Sequence, residues 1–246
     1  MQDQGNPAAW PCPDFAHRKA ARQTKPKRSL NRQRPSLDVV PRVSQDAHKT
    51  GLVLLHSLVQ TPGMDRYADL FKAVDTARLR LRCVRLEDAA PVSAMMTAAV
   101  SQWVASWPVP LTPEMATERI TNARKAVADG RALPCAIERR GDGALVGWIG
   151  VTRETSHGRR AMLGYWLGEQ HHGHGYMREA APAMVRMAFQ KLDLDVVEAA
   201  AQPENAASFA VLRGCGMAPV GERMIFAPSR NREEMCLLYE VTRPRI

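Results

Sequence analysis

The chain of 246 residues carries 34 Lys and Arg against 25 Asp and Glu, with 45% apolar and 24% charged residues, the make-up of an ordinary globular protein. That composition excludes a collagen-like, a wholly disordered or a membrane-spanning chain, and the length accommodates one or two domains. The positive excess is concentrated at the front: residues 1–50 hold 10 Lys and Arg against 4 Asp, whereas residues 51–246 hold 24 against 21 Asp and Glu.

Five cysteines, at 12, 83, 135, 215 and 236, are odd in number and form no C-x-x-C pair. This argues against a disulfide framework or a cysteine-built zinc site and fits a reducing compartment. The apolar run from Gly51 to Val59 is shorter than the roughly 20 residues needed to span a bilayer. It also starts too far in for a signal peptide. A soluble, cytoplasmic protein is expected.

Residues 1–50 contain Pro7, Pro11, Pro13, Pro26, Pro35 and Pro41, many basic residues and no sustained period of 2 or 3.6. Such a segment buries too little apolar surface to offset its ordering entropy. It reads as a basic extension, as an arm touching RNA or another acidic partner, or as a mis-assigned start, with Met64 shortly before the first folded texture. The expected organisation is an extension over 1–63 and one folded domain over 64–246.

From Thr76 the texture changes. Leu79, Leu81 and Cys83 alternate with Arg78, Arg80 and Arg82, the pattern of a half-buried strand. Leu86-Glu-Asp88 leads into a helical stretch to about Val104, and Thr112-Pro113 signals a helix start that runs to a glycine cap at Gly130. Strands are expected over 134–139 and 144–151 around the turn Gly141-Asp-Gly143, and again over 162–167. A helix over 176–190 follows, then a strand over 195–201, a short helix over 206–213 and strands over 218–227 and 234–242. Pro182 inside the long helix lacks the N–H for a bond to Arg178, which predicts a kink or lengthened turn there. The sum is an α+β domain.

The chemistry-bearing stretch is Tyr165-Trp-Leu-Gly-Glu-Gln-His-His-Gly-His-Gly-Tyr-Met-Arg-Glu-Ala180. A strand enters Gly173-His174-Gly175 and passes directly into a helix. The first turn of a helix leaves N–H groups unpaired and its dipole favours negative charge. Glycines just before it let a phosphate approach the main chain. A plain tight turn is the alternative, since neither the P-loop ending nor the third glycine of the dinucleotide fingerprint is present.

The order of elements and this junction resemble the GNAT acetyltransferases, in particular the branch that acetylates ribosomal-protein N-termini. The family's acetyl-CoA loop matches either as Gln170-x-x-Gly173-x-Gly175 or, with the following Glu179-Ala180, as His172-Gly173-His174-Gly175-Tyr176-Met177, the preferred register. It departs from the general pattern at His172 and Met177. Asn205-Ala-Ala-Ser208, leading to Gly216-Met217, and Trp107 to Glu114 are similar to two further family blocks, so the resemblance covers residues 76–243. It implies a mixed, mostly antiparallel sheet of about seven strands flanked by helices, with a splay between the fourth and fifth, here 161–167 and 195–201.

The resemblance also implies acetyl-CoA as cosubstrate, without a metal, and a primary amine as acceptor, either a small molecule or a protein N-terminus. The backbone near Trp166 and Leu167 would pair with the pantetheine arm, and a Leu167 N–H would polarise the thioester carbonyl. Amides from Gly173 through His174, Gly175, Tyr176 and Met177 would hold the diphosphate. Asn205 would meet the amide-bearing arm, and Ser208 would donate to the departing thiolate or, alternatively, satisfy amides of its own helix.

Glu138, Glu154 and Glu222 are carboxylates near the expected strands, but no motif assigns a base. His171, His172 and His174 are neighbours in a loop with no spaced fourth ligand, so no metal is expected. Trp103, Trp107 and Trp148 either pack in the core or line an acceptor pocket. The competing functions are a CoA-binding module without catalysis and a ribosome- or RNA-associated protein acting through its basic arm. No membrane partner is expected. Limited proteolysis should remove residues 1–50 first and leave a core that still binds acetyl-CoA; loss of binding with the arm would refute this division.

Overall fold

Leu79 and Leu81 are fully buried while Arg80 stays outside, the period-two division that a half-buried strand requires. In the computed structural model, which describes residues 72–154 and 158–244, that strand belongs to an eight-stranded sheet. The strands are β1 (Val74–Asp75), β2 (Leu79–Cys83), β3 (Ala132–Arg139), β4 (Leu145–Arg153), β5 (Arg160–Leu167), β6 (Val196–Ala201), β7 (Ala218–Ala227) and β8 (Arg232–Thr242). Their order is β1-β2-β3-β4-β5-β6-β8-β7. Every neighbouring pair is antiparallel except β5–β6. The two-residue β1 is one strand more than the sequence predicts. The expectations for residues 1–63 lie outside the described residues.

Among the described residues the helices are α1 (Ala89–Met95), α2 (Ala98–Ser101), α3 (Pro113–Ala128), α4 (Tyr176–Lys191) and α5 (Ala206–Gly214). The helical stretch expected up to Val104 is broken. Met96 leaves helical geometry with ψ 81, and Thr97 starts a new turn by accepting from the Val100 N–H through its side chain. Thr112 caps α3 by accepting from Met115 N–H, with Pro113 in the first turn, and Gly130 follows its end at φ 64, as expected. The helix α4 continues from Tyr176 to Lys191 with Pro182 inside it.

The sheet is covered on both faces. Helices α4 and α5 pack with Leu79, Leu81, Cys135, Ile137, Ile149, Val151 and Leu163 on one face. Helices α1 to α3 enclose Trp107, Trp148 and Trp166 on the other. The continuous burial of β3 and β4 follows from being central strands between two helical layers. On the second face the Trp107 ring meets Trp148 and Trp166 edge-on, at centroid distances of 5.3 and 5.1 Å, and Arg119 lies over Trp107 at 4.4 Å.

Two ionic clusters fasten the sheet to its surroundings. Arg82 binds Asp88 through both terminal nitrogens and Glu138 through Nε, joining β2 to the start of α1 and to the end of β3. Near the other edge, Glu234 of β8 accepts from Arg230 at 2.7 and 2.6 Å, from Arg232 at 2.8 Å and from Gln202 at 2.6 Å. Arg230 also donates to the Ser101 carbonyl at 2.8 Å. The β7–β8 turn, the end of α2 and the loop after β6 therefore converge on the Arg230–Glu234 pair.

The Arg230 guanidinium first, then Arg232 and Gln202, hold the Glu234 carboxyl down to about 2 against the opposing effect of burial. A carboxyl lowered in the folded state contributes its stability in full above its ordinary value near 4.3 and loses it as the pH falls toward about 2. Glu234→Gln should therefore cost about 1–2 kcal/mol at pH 7. Its difference from the wild type should shrink as the pH is lowered from about 4.5 toward 2.5, as read by denaturant unfolding at several pH values. A difference independent of pH would reject the assignment.

Candidate active site

Parallel pairing between β5 and β6 covers only Arg160 with Val196, Ala161 with Val197 and Met162 with Glu198. Beyond that rung β5 runs on to Leu167 and β6 to Ala201 without pairing with each other, so the sheet opens into the gap expected between 161–167 and 195–201. The last paired rung is locked from one side, where Arg160 donates to both Glu198 and Glu240, joining β5, β6 and β8.

Strand alternation decides which backbone groups face the gap. Gly168 N–H donates to the Val146 carbonyl of β4, and the Trp166 carbonyl lies so close to Gly147 that a Cβ there would have no room. Gly168 and Trp166 thus turn toward β4. Tyr165 and Leu167, one residue out of phase, turn their N–H and C=O groups to the gap. This corrects the expectation for Trp166: its backbone faces β4 and its indole is buried in the second core, so it brings no polar group to the gap edge.

After β5 the chain makes a short 310 turn, Glu169–His171, then passes through Gly173 at φ 77 and Gly175 at φ 72, a left-handed conformation that side chains disfavour. Gly175 is the N-cap of α4, and no described side chain caps that helix. Among the described residues, no carbonyl or side chain accepts from the N–H groups of residues 173–178. Six consecutive donors at the positive end of a 16-residue helix form an anion cradle.

Two of the histidine rings fix this loop. The His172 ring donates Nε2–H to the Leu167 carbonyl at 3.0 Å, and the His174 ring donates Nδ1–H to the His172 carbonyl at 2.8 Å. The His174 ring also stacks on Tyr176 at 5.4 Å. Burial is the largest influence lowering the His171 pKa. The Tyr176 and Met177 side chains are buried in the first core, so only their backbone amides are available to a ligand.

Arg78, in the sequence only one arginine of a strand alternation, lies beside this cradle. Its Nε binds Glu179 at 2.7 Å and its Nη1 binds the His174 carbonyl at 2.9 Å. Its Nη2 stands 3.7 Å from where a Cβ on Gly175 would lie, and its guanidinium sits over the Tyr176 ring at 5.0 Å. Glu179 in turn accepts from the Arg78 N–H at 2.7 Å and from the Thr76 hydroxyl at 2.5 Å. A carboxylate in the first turn of α4 would repel an anion, and these three donors neutralise it while placing a guanidinium beside the cradle. In the sequence Arg78 is one member of a strand alternation, and nothing local marks its partner 101 residues away.

Across the gap, Asn205 caps α5: its Oδ1 accepts from Ser208 N–H at 3.0 Å, leaving its amide nitrogen for other partners. The capping role considered for Ser208 thus belongs to Asn205. Ser208 Oγ instead meets the Tyr165 hydroxyl at 2.7 Å. In the sequence, a phenol two residues before a strand end carries no local sign of a helix partner 43 residues on. Glu138 is engaged by Arg82, Glu154 is buried and Glu222 is exposed on β7. Trp107 and Trp148 are core residues, each 1% exposed, while Trp103 is 39% exposed at the end of α2.

Comparison with known proteins agrees with this geometry. An N-acetyltransferase called p20 from Bacillus licheniformis is 27% identical over 158 residues, which is 64% of this chain and 88% of that protein. The structure of Mycobacterium smegmatis RimJ in complex with CoA-disulfide is similar at TM-score 0.59 and 28% identity, covering 67% of this chain and 81% of that one. The ribosomal-protein-S5-alanine acetyltransferase of Vibrio fischeri shares the fold at TM-score 0.60 and 19% identity, over 69% of this chain and 96% of that one. The family model described as an acetyltransferase (GNAT) domain matches residues 78–218, from the arginine beside the cradle to the first residue of β7, and with more than half of its length so matched the chain belongs to the GNAT acetyltransferase family.

Proposed function

We propose that the chain binds acetyl-CoA along the β5–β6 gap and transfers the acetyl group to a primary amine. One observation carries this reading: a strand that parts from its parallel neighbour leads into six amides at a helix N-terminus that no described residue engages, so an extended amide-bearing arm and a diphosphate would be met in the order in which CoA carries them. The family membership, the N-acetyltransferase relative and the CoA-bound RimJ structure support it.

In this reading the amides of residues 173–177, helped by Arg78 Nη2, hold the diphosphate. The Leu167 N–H, directed into the gap, polarises the thioester carbonyl, and His172 occupies the adjacent Leu167 carbonyl, fixing the strand end. The Asn205 amide nitrogen donates to a carbonyl of the arm. The thioester supplies an acetyl carbon that the acceptor amine attacks, with the C–S electron pair leaving on sulfur. Ser208 Oγ–H donates to that sulfur as its charge develops. The balance is one thioester and one amine giving one amide and one thiol, with the extra proton of an ammonium acceptor passing to solvent.

The acceptor is proposed to be a protein N-terminus or another weakly charged amine. One of the similar structures is by name a ribosomal-protein-S5-alanine acetyltransferase, and the expected strands and loops show no acidic cluster of the kind a polyamine would need. Residues 64–246 form the catalytic domain and residues 1–63 an extension in this proposal, and the compartment is the cytoplasm. Among the described residues no helix is long and apolar enough to cross a membrane. An assay of CoA release from acetyl-CoA against N-terminal peptides, polyamines and amino sugars tests the reading; silence with every amine class would reject it.

Two substitutions probe the site. Gly175→Asp forces a side chain onto a left-handed residue and sets a carboxylate between Arg78 and the cradle. CoA affinity should fall more than tenfold, at least about 1.4 kcal/mol, by calorimetry; unchanged affinity in a folded variant would show the cradle misplaced. Ser208→Ala should lower kcat by roughly tenfold to a thousandfold with acetyl-CoA affinity nearly unchanged. A variant with wild-type turnover would remove Ser208 from the chemistry.

A further inference from the structure

Tyr165 stands opposite Ser208 with its ring packed against the α4–α5 core. It reaches from the β5 lip of the gap to the first turn of α5, on the β6 side. Its hydroxyl lies 2.7 Å from Ser208 Oγ and 3.4 Å from the Ser208 carbonyl. A serine hydroxyl is a free rotor with one hydrogen and two lone pairs. On a helix it commonly turns that hydrogen back onto a carbonyl of the preceding turn, where it is lost to any ligand.

We propose that Tyr165 is a positioning residue that acts through Ser208: it donates its phenolic hydrogen to Ser208 Oγ, so that Ser208 must point its own hydrogen into the gap, toward the departing sulfur. The inference rests on the acetyl-CoA reading above and adds to it a residue that neither the resemblance nor the comparisons assign.

The direction of donation follows from chemistry. A phenol is the stronger hydrogen-bond donor and an aliphatic hydroxyl the stronger acceptor, so the pair is best satisfied with the tyrosine giving. Burial, the largest influence on the Tyr165 phenol, pushes its pKa up despite the opposing bond to Ser208. The group therefore stays protonated through the working pH range and acts as a fixed dipole. No proton leaves Tyr165 in the step. The C–S bond breaks, its electron pair moves to sulfur, and the Ser208 hydrogen stabilises that charge while the Tyr165 hydrogen polarises Ser208.

The test is a double-mutant cycle in the full chain: wild type, Tyr165→Phe, Ser208→Ala and the double variant. CoA release is followed with the amine that the acceptor panel identifies, and CoA affinity by calorimetry establishes that each variant folds. Tyr165→Phe should lower kcat about three- to thirtyfold with the KM for acetyl-CoA within about threefold of wild type. The double variant should be no slower than Ser208→Ala alone, within about twofold. In a Ser208→Thr background, which keeps a hydroxyl, Tyr165→Phe should again lower kcat.

A Tyr165 that merely packs the gap wall would slow the enzyme equally whether residue 208 is serine or alanine, and that additive result overturns the proposal. So does a kcat within twofold of wild type for Tyr165→Phe. If Ser208→Ala itself leaves kcat unchanged, the thiolate-donor reading of Ser208 fails and the role of Tyr165 fails with it, while the CoA cradle, tested separately through Gly175, stands.

Discussion

The site depends on where β5 and β6 stop pairing. Parallel strands joined by a crossover helix ordinarily pair along their shared length, because a buried N–H or C=O without a partner costs about as much as a lost hydrogen bond. Here pairing ends after Met162 and Glu198. The Arg160 guanidinium, shared between Glu198 and Glu240, binds β5, β6 and β8 at the last rung and fixes the apex of the opening. Past it, the gap-facing N–H and C=O of Tyr165 and the N–H of Leu167 are open to a ligand that carries amides of its own, while His172 takes the Leu167 carbonyl. The unpaired edge has a use only if such a ligand is what the protein binds.

Helix α4 turns that opening into a place of definite charge. Its body is anchored by Ala180, Ala181, Met184 and Ala188, all at 0% exposure, and so cannot shift to satisfy its own first turn. The glycines before it remove any side chain that would cap it, and Glu179, the acidic group that could oppose an anion, is consumed by Thr76 and Arg78 from the opposite layer. The positive helix end, six amides that no described residue engages and one guanidinium therefore act together. The Trp107, Trp148 and Trp166 cluster on the other face does comparable work for rigidity: it packs the indole of β5 against β4, which fixes the strand whose alternate residues line the gap.

Side-chain alternation ties these features together. Along β5, Trp166 goes to one core, while Tyr165 and Leu167 pack against the other and present their backbones to the gap. A single strand thus holds the second core, presents main-chain groups to the gap and reaches Ser208 through a phenol, because successive residues of a strand point to opposite faces.

Local pattern alone was enough for the alternation of Leu79 and Leu81 with arginines, the Thr112-Pro113 start of α3, the hairpin at Gly141–Gly143 and the glycines that open α4. In each case the information lies within a few residues, in turn chemistry, capping or period. The resemblance of the Gly173–Ala180 and Asn205–Ser208 blocks to one family extended that to the splay and the cofactor. Sequence could not say that Trp166 faces β4, that Asn205 rather than Ser208 caps α5, that Arg78 neutralises Glu179 and flanks the cradle, or that Tyr165 meets Ser208. Strand register, which decides the first, is set by pairing with a distant strand, and the Arg78 and Tyr165 contacts join residues 101 and 43 positions apart. Such contacts are made only when the sheet has brought its strands and helices together, and no local preference of the chain encodes them.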